Sequence, residues 1–244
     1  MNEQYPRNFL GLLERGGVSS RYGEDAGCRS LEGKILRGVL TLDSKWSEPL
    51  VIPAKPYRAY LFDLDGTVAD SMPLHWISWR QAVEEAGGHF PLELFYDWGG
   101  MPLVRSVELL NERFGYEMSP QDVALRKEEL YYELVPGLKA IPSVLAHVEA
   151  QHGRIPLAIV SGSPRAGIHR SLTQLGLLDR FDVLVGSEDY RHGKPHPEPF
   201  LTAAARLGVV PGDCLVFEDA DAGIASAEAA GMDWVRVPVH RVTE

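Results

Sequence analysis

Cysteine is scarce in this sequence, and the signals that mark disulfide-rich, membrane-spanning and secreted proteins are missing. The chain of 244 residues has only two cysteines, Cys28 and Cys214, so a disulfide scaffold is excluded and reduced thiols in the cytoplasm are expected. No CxxC pair or mixed cluster of cysteine and histidine indicates a zinc site. No apolar run approaches the roughly 18 residues that a membrane span requires, and residues 9–13 are too short for the core of a signal peptide.

Positive charge is also in short supply. Lysine and arginine total 24 against 34 aspartates and glutamates, which gives a formal net charge of −10. Because nucleic acids and anionic membrane surfaces repel such a chain, both are disfavoured as partners. Any anionic substrate must therefore be held by local cations against the overall field. No feature of the sequence indicates an oligomeric state.

Short apolar runs alternate with helical patterns from residue 57 onward, whereas residues 1–56 show only weak periodicity. The leading segment carries seven glycines between residues 11 and 38, and we expect it to be a poorly ordered extension. Downstream, short apolar strands that alternate with helices predict an α/β fold with a doubly wound parallel sheet. The predicted strands are 57–63, 156–160, 181–185, 214–217 and 234–237, and the helices between them, each followed by a glycine, are 143–152, 164–175, 197–207 and 221–230.

The alternation is interrupted directly after the first strand by residues 72–136, which contain no convincing strand. An insertion at this point lies over the carboxyl ends of the strands, where open α/β sheets bind ligands. We therefore expect a core of residues 57–71 and 137–244 and a small helical cap of residues 72–136. The predicted cap helices are one that begins at the N-cap Ser71 and ends at Gly87, and two more over 103–114 and 120–134.

Acidic and basic side chains follow several of the predicted strands. Because the carboxyl ends of parallel strands share one edge of the sheet, these side chains can converge there. Two carboxylates about 4 Å apart repel by about 4 kcal/mol at an effective dielectric constant of about 20, so a cluster of them ionises together only around a cation. Oxygen ligands without histidine or cysteine favour Mg²⁺, and a nearby lysine and serine can hold phosphoryl oxygens. The residues concerned are Asp63, Asp65, Ser161, Lys194, Glu218 and Asp219.

Four motifs in order make the chain resemble the phosphohydrolases of the haloacid dehalogenase superfamily. They are DLDGT at 63–67, VSGS at 160–163, GKPHPEPF at 193–200 and EDADAGI at 218–224, and the resemblance spans residues 57 to about 237. It implies that Asp63 attacks phosphorus and forms an aspartyl-phosphate. It implies further that Asp65 protonates the leaving alcohol, then activates water, and offers its backbone carbonyl to Mg²⁺. Since dehalogenases of this superfamily lack the second aspartate, Asp65 favours phosphate-ester chemistry.

The resemblance implies a role for each remaining motif residue. Ser161 would hydrogen-bond the phosphoryl oxygens, although a serine at this place could instead be only an N-cap of the next helix. Lys194 would neutralise the phosphoryl charge and restrain Asp63. Asp219 would bind Mg²⁺ together with Asp63. Glu218 would support that metal site, or serve a purely structural role, because Mg²⁺ tends to keep several waters.

The predicted cap resembles the small cap of the β-phosphoglucomutase-like branch, which closes over a sugar. Candidate substrate-binding residues are His75 and Trp79, one turn apart on the first cap helix, with Arg105 and Gly162. Two of these have an alternative interpretation: Trp79 as part of the apolar centre of the cap, and His75 as an exposed residue of a first helical turn. The EDADAGI motif and Thr67 are closer to sugar phosphatases of the fructose-1-phosphate type.

Together these observations predict a Mg²⁺-dependent phosphatase that acts on a small phosphorylated sugar or a similar metabolite. The alternative is a sugar phosphomutase of the same branch, which would convert a hexose 1-phosphate to the 6-phosphate without net release of phosphate. A non-enzymatic protein on the same scaffold is a further alternative, against which the intact motif residues argue. His192 and His196 flank Lys194 but lack the spacing typical of metal ligands, so they are interpreted as loop residues.

Overall fold

Five parallel strands form the centre of the molecule. Residues 49–99, 101–238 and 242 are described by the structure, a computed structural model. The strands are β1 (Ala59–Phe62), β2 (Leu157–Val160), β3 (Val183–Val185), β4 (Cys214–Glu218) and β5 (Asp233–Arg236). They lie in the order β3-β2-β1-β4-β5, and every neighbouring pair is parallel. The prediction of an α/β fold with a doubly wound parallel sheet is confirmed, and each strand begins and ends within two residues of its predicted bounds.

Helices connect the strands and form the insertion after β1. The helices of the insertion are α1 (Met72–Glu85), α2 (Leu92–Asp97), α3 (Leu103–Phe114) and α4 (Pro120–Leu134). Those of the core are α5 (Pro142–Gln151), α6 (Arg165–Leu175), α7 (Glu198–Leu207) and α8 (Asp221–Ala229). The glycine predicted to follow each core helix has a positive φ in all four cases, as helix C-termini favour.

Alternate residues of the strands point to opposite faces of the sheet, and helices cover both faces. Tyr60 and Phe62 of β1 lie in one apolar cluster with residues of α5 and α6. Ala59 and Leu61 lie in a second cluster with residues of α7 and α8. Because β1 and β2 are buried on both faces, their sequences are continuous apolar runs rather than alternating ones. Each fully buried large apolar side chain contributes about 1.5–3 kcal/mol.

The four helices of the insertion share an apolar cluster of their own, which is rich in aromatic side chains. Trp76, Phe90 and Phe95 contact one another there, and α1 packs against α4. The sequence predicts three helices in this region, and α2 is an addition to them. With only six residues, α2 is too short to show helical periodicity, and burial of Leu94 and Phe95 holds it in place.

The segment before β1 lies against the core although residues 49–56 contain no helix or strand. Leu50 and Ile52 pack on the apolar cluster that contains α5 and α6. The remainder of the predicted poorly ordered extension, residues 1–48, lies outside the described residues. Within the described ranges, no helix has both the length and the apolar character needed to cross a bilayer.

Candidate active site

β1 and β4 are neighbours in the sheet, and their carboxyl ends bring two acidic motifs together. The N–H of Asp63 donates to the carbonyl of Phe217 at 3.0 Å, so backbone pairing continues beyond the last residue of β1. This register places Asp63 beside the end of β4, where Glu218 and Asp219 lie. The hydroxyl of Thr67 donates to Asp219 Oδ1 at 3.1 Å, which joins the loops after the two strands.

Lys194 lies in the loop between β3 and α7, and two carboxylates share its ammonium group. Its Nζ donates to Asp63 Oδ1 at 2.7 Å and to Glu218 Oε2 at 2.6 Å, and lies 5.0 Å from the centre of the Phe200 ring. Burial opposes the charged form, but the two carboxylates outweigh burial and raise the pKa of Lys194 above its ordinary value. Lys194 is therefore a permanent cation at this edge of the sheet.

Three buried carboxylates face this single ammonium group. Oxygens of Asp63, Glu218 and Asp219 lie within 4.8 Å of one another, and none of the three residues is more than 7% exposed. Burial, followed by the charge of Glu218, raises the pKa of Asp63 well above its usual range and that of Asp219 to about 7. One ammonium group does not neutralise three carboxylates. The excess negative charge and the all-oxygen donor set therefore fit a hard divalent cation such as Mg²⁺.

Two glycines allow these carboxylates to lie against the neighbouring backbone. A Cβ on Gly223 would lie 2.0 Å from Cδ of Glu218, and one on Gly66 would lie 2.5 Å from Oδ2 of Asp219. Gly66 also has a φ of +87°, which residues with a side chain rarely adopt. Glu218 Oε1 further accepts the N–H of Ala220 at 3.1 Å. The position of both carboxylates thus depends on the absence of a side chain at two places in the motifs.

Asp65 has surroundings unlike those of the first aspartate of its motif. Its Oδ1 accepts the hydroxyl of Ser71 at 2.7 Å and lies 3.4 Å from His75 Nε2, while Oδ2 accepts the hydroxyl of Ser163 at 2.9 Å. Burial would raise its pKa, but the hydrogen bonds from His75, Ser71 and Ser163 outweigh burial and lower the pKa of Asp65. Ser71, expected to cap α1, makes no side-chain cap hydrogen bond because its hydroxyl is directed to Asp65 instead. The two aspartates of DLDGT therefore have pKa values moved in opposite directions.

His75 of α1 links Asp65 to α4. Its ring stacks on Tyr131 with centroids 4.1 Å apart, and its Nδ1 lies 3.1 Å from Lys127 Nζ. Because an ammonium group only donates, Nδ1 is the acceptor, and the proton of the neutral ring is on Nε2, the atom that faces Asp65. Burial and the charge of Lys127 lower the pKa of His75, which favours that neutral ring. Lys127 is itself buried and donates to Glu128 Oε1 at 2.6 Å.

Ser161 follows β2 at the same edge of the sheet and is buried. Its Oγ accepts the N–H of Ser163 at 3.0 Å, and its carbonyl accepts the hydroxyl of Tyr190 at 3.0 Å. Gly162, between the two serines, is exposed. The N-cap of α6 is Pro164, so Ser161 does not cap that helix.

The other two cap candidates lie in different surroundings. Trp79 is 6% exposed and packs edge-to-face on Phe90 with ring centres 5.4 Å apart, which places it in the apolar cluster of the cap. Arg105 of α3 is on the surface, and its Nη1 donates to Glu108 and to Glu112, both at 3.0 Å. The roles of Trp79 and Arg105 in substrate binding stay predictions.

Three side chains around Asp65 and His75 receive no role from the resemblance. Ser163 is the last residue of the VSGS motif, whereas Lys127 and Tyr131 lie outside the four motifs. Lys127 occupies the buried face of α4, four residues after Val123 and three before Leu130. A lysine in an apolar stripe at helical spacing is unusual and is a signal that identifies it. Tyr131 has no such signal, because a buried aromatic residue of a helix is usually only packing.

This chain is similar in sequence and structure to known phosphatases and phosphomutases. Residues 57–231 match the family described as haloacid dehalogenase-like hydrolase. Fructose-1-phosphate phosphatase YqaB of Escherichia coli (strain K12) is 37% identical over 182 residues, which cover 74% of this chain and 96% of that protein. Beta-phosphoglucomutase of Bacillus subtilis (strain 168) is 31% identical over 186 residues, which cover 72% of this chain and 80% of that protein. The crystal structure of beta-phosphoglucomutase from Clostridium difficile superposes with a TM-score of 0.61 at 29% identity, covering 73% of this chain and 83% of that one.

Proposed function

This chain belongs to the haloacid dehalogenase-like hydrolases and is a phosphoric monoester hydrolase, and from that premise we propose that its substrate is a small phosphorylated sugar. The observation that carries the phosphoryl part of the proposal is the ammonium group of Lys194, which bridges Asp63 and Glu218 at the carboxyl ends of β1 and β4. The sugar part rests on the similarity to fructose-1-phosphate phosphatase YqaB. Such a site neutralises and aligns a phosphoryl group, which is the main requirement of phosphoryl transfer. We place the activity in the cytoplasm, where phosphorylated metabolites are made.

In the proposed reaction the carboxylate of Asp63 attacks phosphorus, and the bond between phosphorus and the sugar oxygen breaks. The leaving oxygen takes a proton from Asp65, which this reaction requires to be protonated in the substrate complex although its pKa is lowered in the free protein. The same carboxylate then removes a proton from the water that hydrolyses the aspartyl-phosphate. Lys194 orients Asp63 at 2.7 Å, and its charge opposes the rise in the pKa of that carboxyl. Ser161, at the end of β2, is proposed to donate its hydroxyl to a phosphoryl oxygen.

Mg²⁺ is the cation that we propose for the acidic cluster. Asp63, Asp219 and the backbone carbonyl of Asp65 would hold it, with Glu218 supporting the site. When bound, the ion supplies positive charge that balances the carboxylates and the phosphoryl oxygens. The support for this proposal is the burial of three carboxylates around one lysine and the raised pKa values of Asp63 and Asp219.

His75 and Lys127 are proposed to position the acid–base group. His75 presents its Nε2 to Asp65, and Lys127 holds the opposite ring nitrogen of His75. Because both residues are in the cap, movement of the cap relative to the sheet would change the hydrogen bonds, and thereby the pKa, of Asp65. Gly162 and Arg105 remain the proposed contacts with the substrate itself.

The proposal is tested by phosphate release from a panel of sugar phosphates and from p-nitrophenyl phosphate, with Mg²⁺ and with a chelator. We expect turnover that requires Mg²⁺ and prefers sugar phosphates. Asp63→Asn should lower the rate by at least ~1,000-fold, because the amide is a poor nucleophile. Glu93→Gln, a change of the same kind in the cap helix α2, should retain the rate. Full activity of Asp63→Asn would contradict the role of Asp63.

A phosphomutase is the second candidate, because the chain is 31% identical to a beta-phosphoglucomutase over most of its length. Product analysis separates the two functions. A phosphatase releases inorganic phosphate in step with substrate loss, whereas a mutase converts a hexose 1-phosphate to the 6-phosphate. We expect phosphate release, and accumulation of hexose 6-phosphate without it would favour the mutase.

A further inference from the structure

The loop that carries Lys194 holds a second group of metal-ligand side chains, His192, His196 and Glu198, on the molecular surface. The two histidine side chains are 64% and 51% exposed, and their Nδ1 atoms lie 2.9 and 3.9 Å from the same oxygen, Oε2 of Glu198. Among the residues that the structure describes, two groups of three or more such side chains bring ligand atoms within 4.8 Å of one another. One is the acidic cluster of the active site, and the other is this group.

Backbone hydrogen bonds hold the three side chains together. Glu198 Oε1 accepts the N–H of Arg191 at 2.9 Å, and Oε2 accepts the N–H of His192 at 3.0 Å. The N–H of Glu198 donates to His196 Nδ1 at 3.2 Å, and the hydroxyl of Ser226 donates to the carbonyl of His196 at 2.7 Å. The loop therefore anchors the backbone of both histidines while their rings reach solvent. The spacing of His192 and His196 along the chain predicts plain loop residues, because it does not include the carboxylate of Glu198 that lies beside them.

The donor chemistry of this group differs from that of the acidic cluster. Two imidazoles and a carboxylate suit Zn²⁺ and its neighbours among the transition metals, whereas Mg²⁺ prefers oxygen. Zinc ligands at about 2.0–2.1 Å in a tetrahedral arrangement lie about 3.3 Å apart. The observed separations of 2.9 and 3.9 Å lie on either side of that value. Coordination through His196 Nδ1 would replace the hydrogen bond that this atom accepts from the N–H of Glu198.

We propose that His192, His196 and Glu198 bind a divalent transition-metal ion, with Zn²⁺ as the ion that fits the donors best. One ring nitrogen of each histidine and one carboxylate oxygen would be the ligands, and water would complete the coordination. The ion would join the two ends of the segment that contains Lys194. It would do so at a site separate from the acidic cluster.

The test is a calorimetric titration of the full chain with ZnCl₂ in excess MgCl₂, which occupies the acidic cluster. We expect one Zn²⁺ per chain with micromolar or tighter affinity. His192→Ala and His196→Ala should each weaken binding by at least ~10-fold, because removal of a ligand costs more than removal of a supporting residue. His152→Ala, which changes an exposed histidine of another loop, should leave the affinity unchanged. Because the two rings are exposed, we expect both variants to keep the melting temperature of the parent.

Substitution with Co²⁺ gives a second measurement that does not depend on enzyme activity. Nitrogen ligands to Co²⁺ change its visible absorption spectrum, and we expect each histidine variant to alter that spectrum. Asp219→Asn should leave both the Zn²⁺ affinity and the Co²⁺ spectrum unchanged. The proposal is overturned if Zn²⁺ does not bind, if it binds equally to the histidine variants, or if Asp219→Asn abolishes binding.

Discussion

The α/β core and the helical cap hold their functional side chains by different means. In the core, Asp63 follows β1 and Glu218 is the last residue of the paired strand β4, so the backbone ladder itself determines their separation. In the cap, His75 and Lys127 lie on two helices, and side-chain packing brings His75 to Asp65 and Lys127 to His75. The pairing of two strands depends little on which side chains they carry, whereas the packing of two helices depends on the side chains between them. We infer that the core determines the reaction and that the cap adjusts it.

The largest effect should come from removing a core carboxylate. Asp219→Asn should lower phosphate release by at least ~1,000-fold and abolish its response to Mg²⁺. Mg²⁺ should raise the melting temperature of the parent but not of the variant, because only a folded site with its ligands intact binds the ion. Without Mg²⁺ the variant should be at least as stable as the parent, since burial and Glu218 disfavour the charged form of Asp219. A Mg²⁺-dependent rise in the variant's melting temperature would show that Asp219 is not needed to bind the ion.

A single added methyl group in the core should have the next largest effect. Gly223→Ala places a carbon 2.0 Å from Glu218 Cδ and must displace that side chain. Displacement by about 1 Å in a site of this kind costs about 100-fold in rate. Gly167→Ala is the matched control, because its Cβ would lie 3.9 Å from the nearest side chain, in ordinary contact. Equal rates for the two variants would mean that the position of Glu218 is not critical.

A change in the cap should have a smaller effect on the rate and should also change the pKa of His75. Lys127→Met removes the charge that lowers the pKa of His75, so that pKa should rise. The histidine then becomes protonated at a higher pH, and an NMR titration of its ring protons measures the shift. We expect the rate to fall by about 10-fold, less than the loss of a general acid–base group would cause. Lys139→Met changes an exposed lysine and should alter neither the rate nor the pKa of His75. If Lys127→Met left the pKa of His75 unchanged, the proposed interaction between Lys127 and His75 would be contradicted.

The smallest effect should come from the surface of the cap. Arg105→Ala should lower kcat/KM by a few-fold for a sugar phosphate and less for p-nitrophenyl phosphate, if the guanidinium contacts the sugar. The melting temperature should change little, because the ion pairs with Glu108 and Glu112 are exposed. Arg113→Ala on the same helix serves as the control. An equal fall in kcat/KM for both substrates would show that Arg105 does not contact the sugar and serves only its ion pairs with Glu108 and Glu112.

The same division explains which parts of the structure the sequence predicts. The strands are short apolar runs bounded by polar residues, so their bounds and the position of Asp63 at the end of β1 follow from local pattern. The six-residue helix α2 cannot be predicted from local pattern, because its stability comes from burial of Leu94 and Phe95 in the cap. The approach of Lys127 to His75 depends on how two helices pack, which residue spacing within one helix does not determine. Phosphate chemistry was thus predictable from the core motifs, and the surroundings of Asp65 were not.

The central place of β1 in the sheet also governs when the protein becomes active during its synthesis. A ribosome makes Asp63 early, but the contact between Thr67 and Asp219 joins residues 152 positions apart, so the pocket closes only near the end of translation. Until β4 emerges, one edge of β1 has no partner and offers its backbone to other chains. An unfinished chain also holds no complete acidic cluster and leaves the metabolite pool untouched.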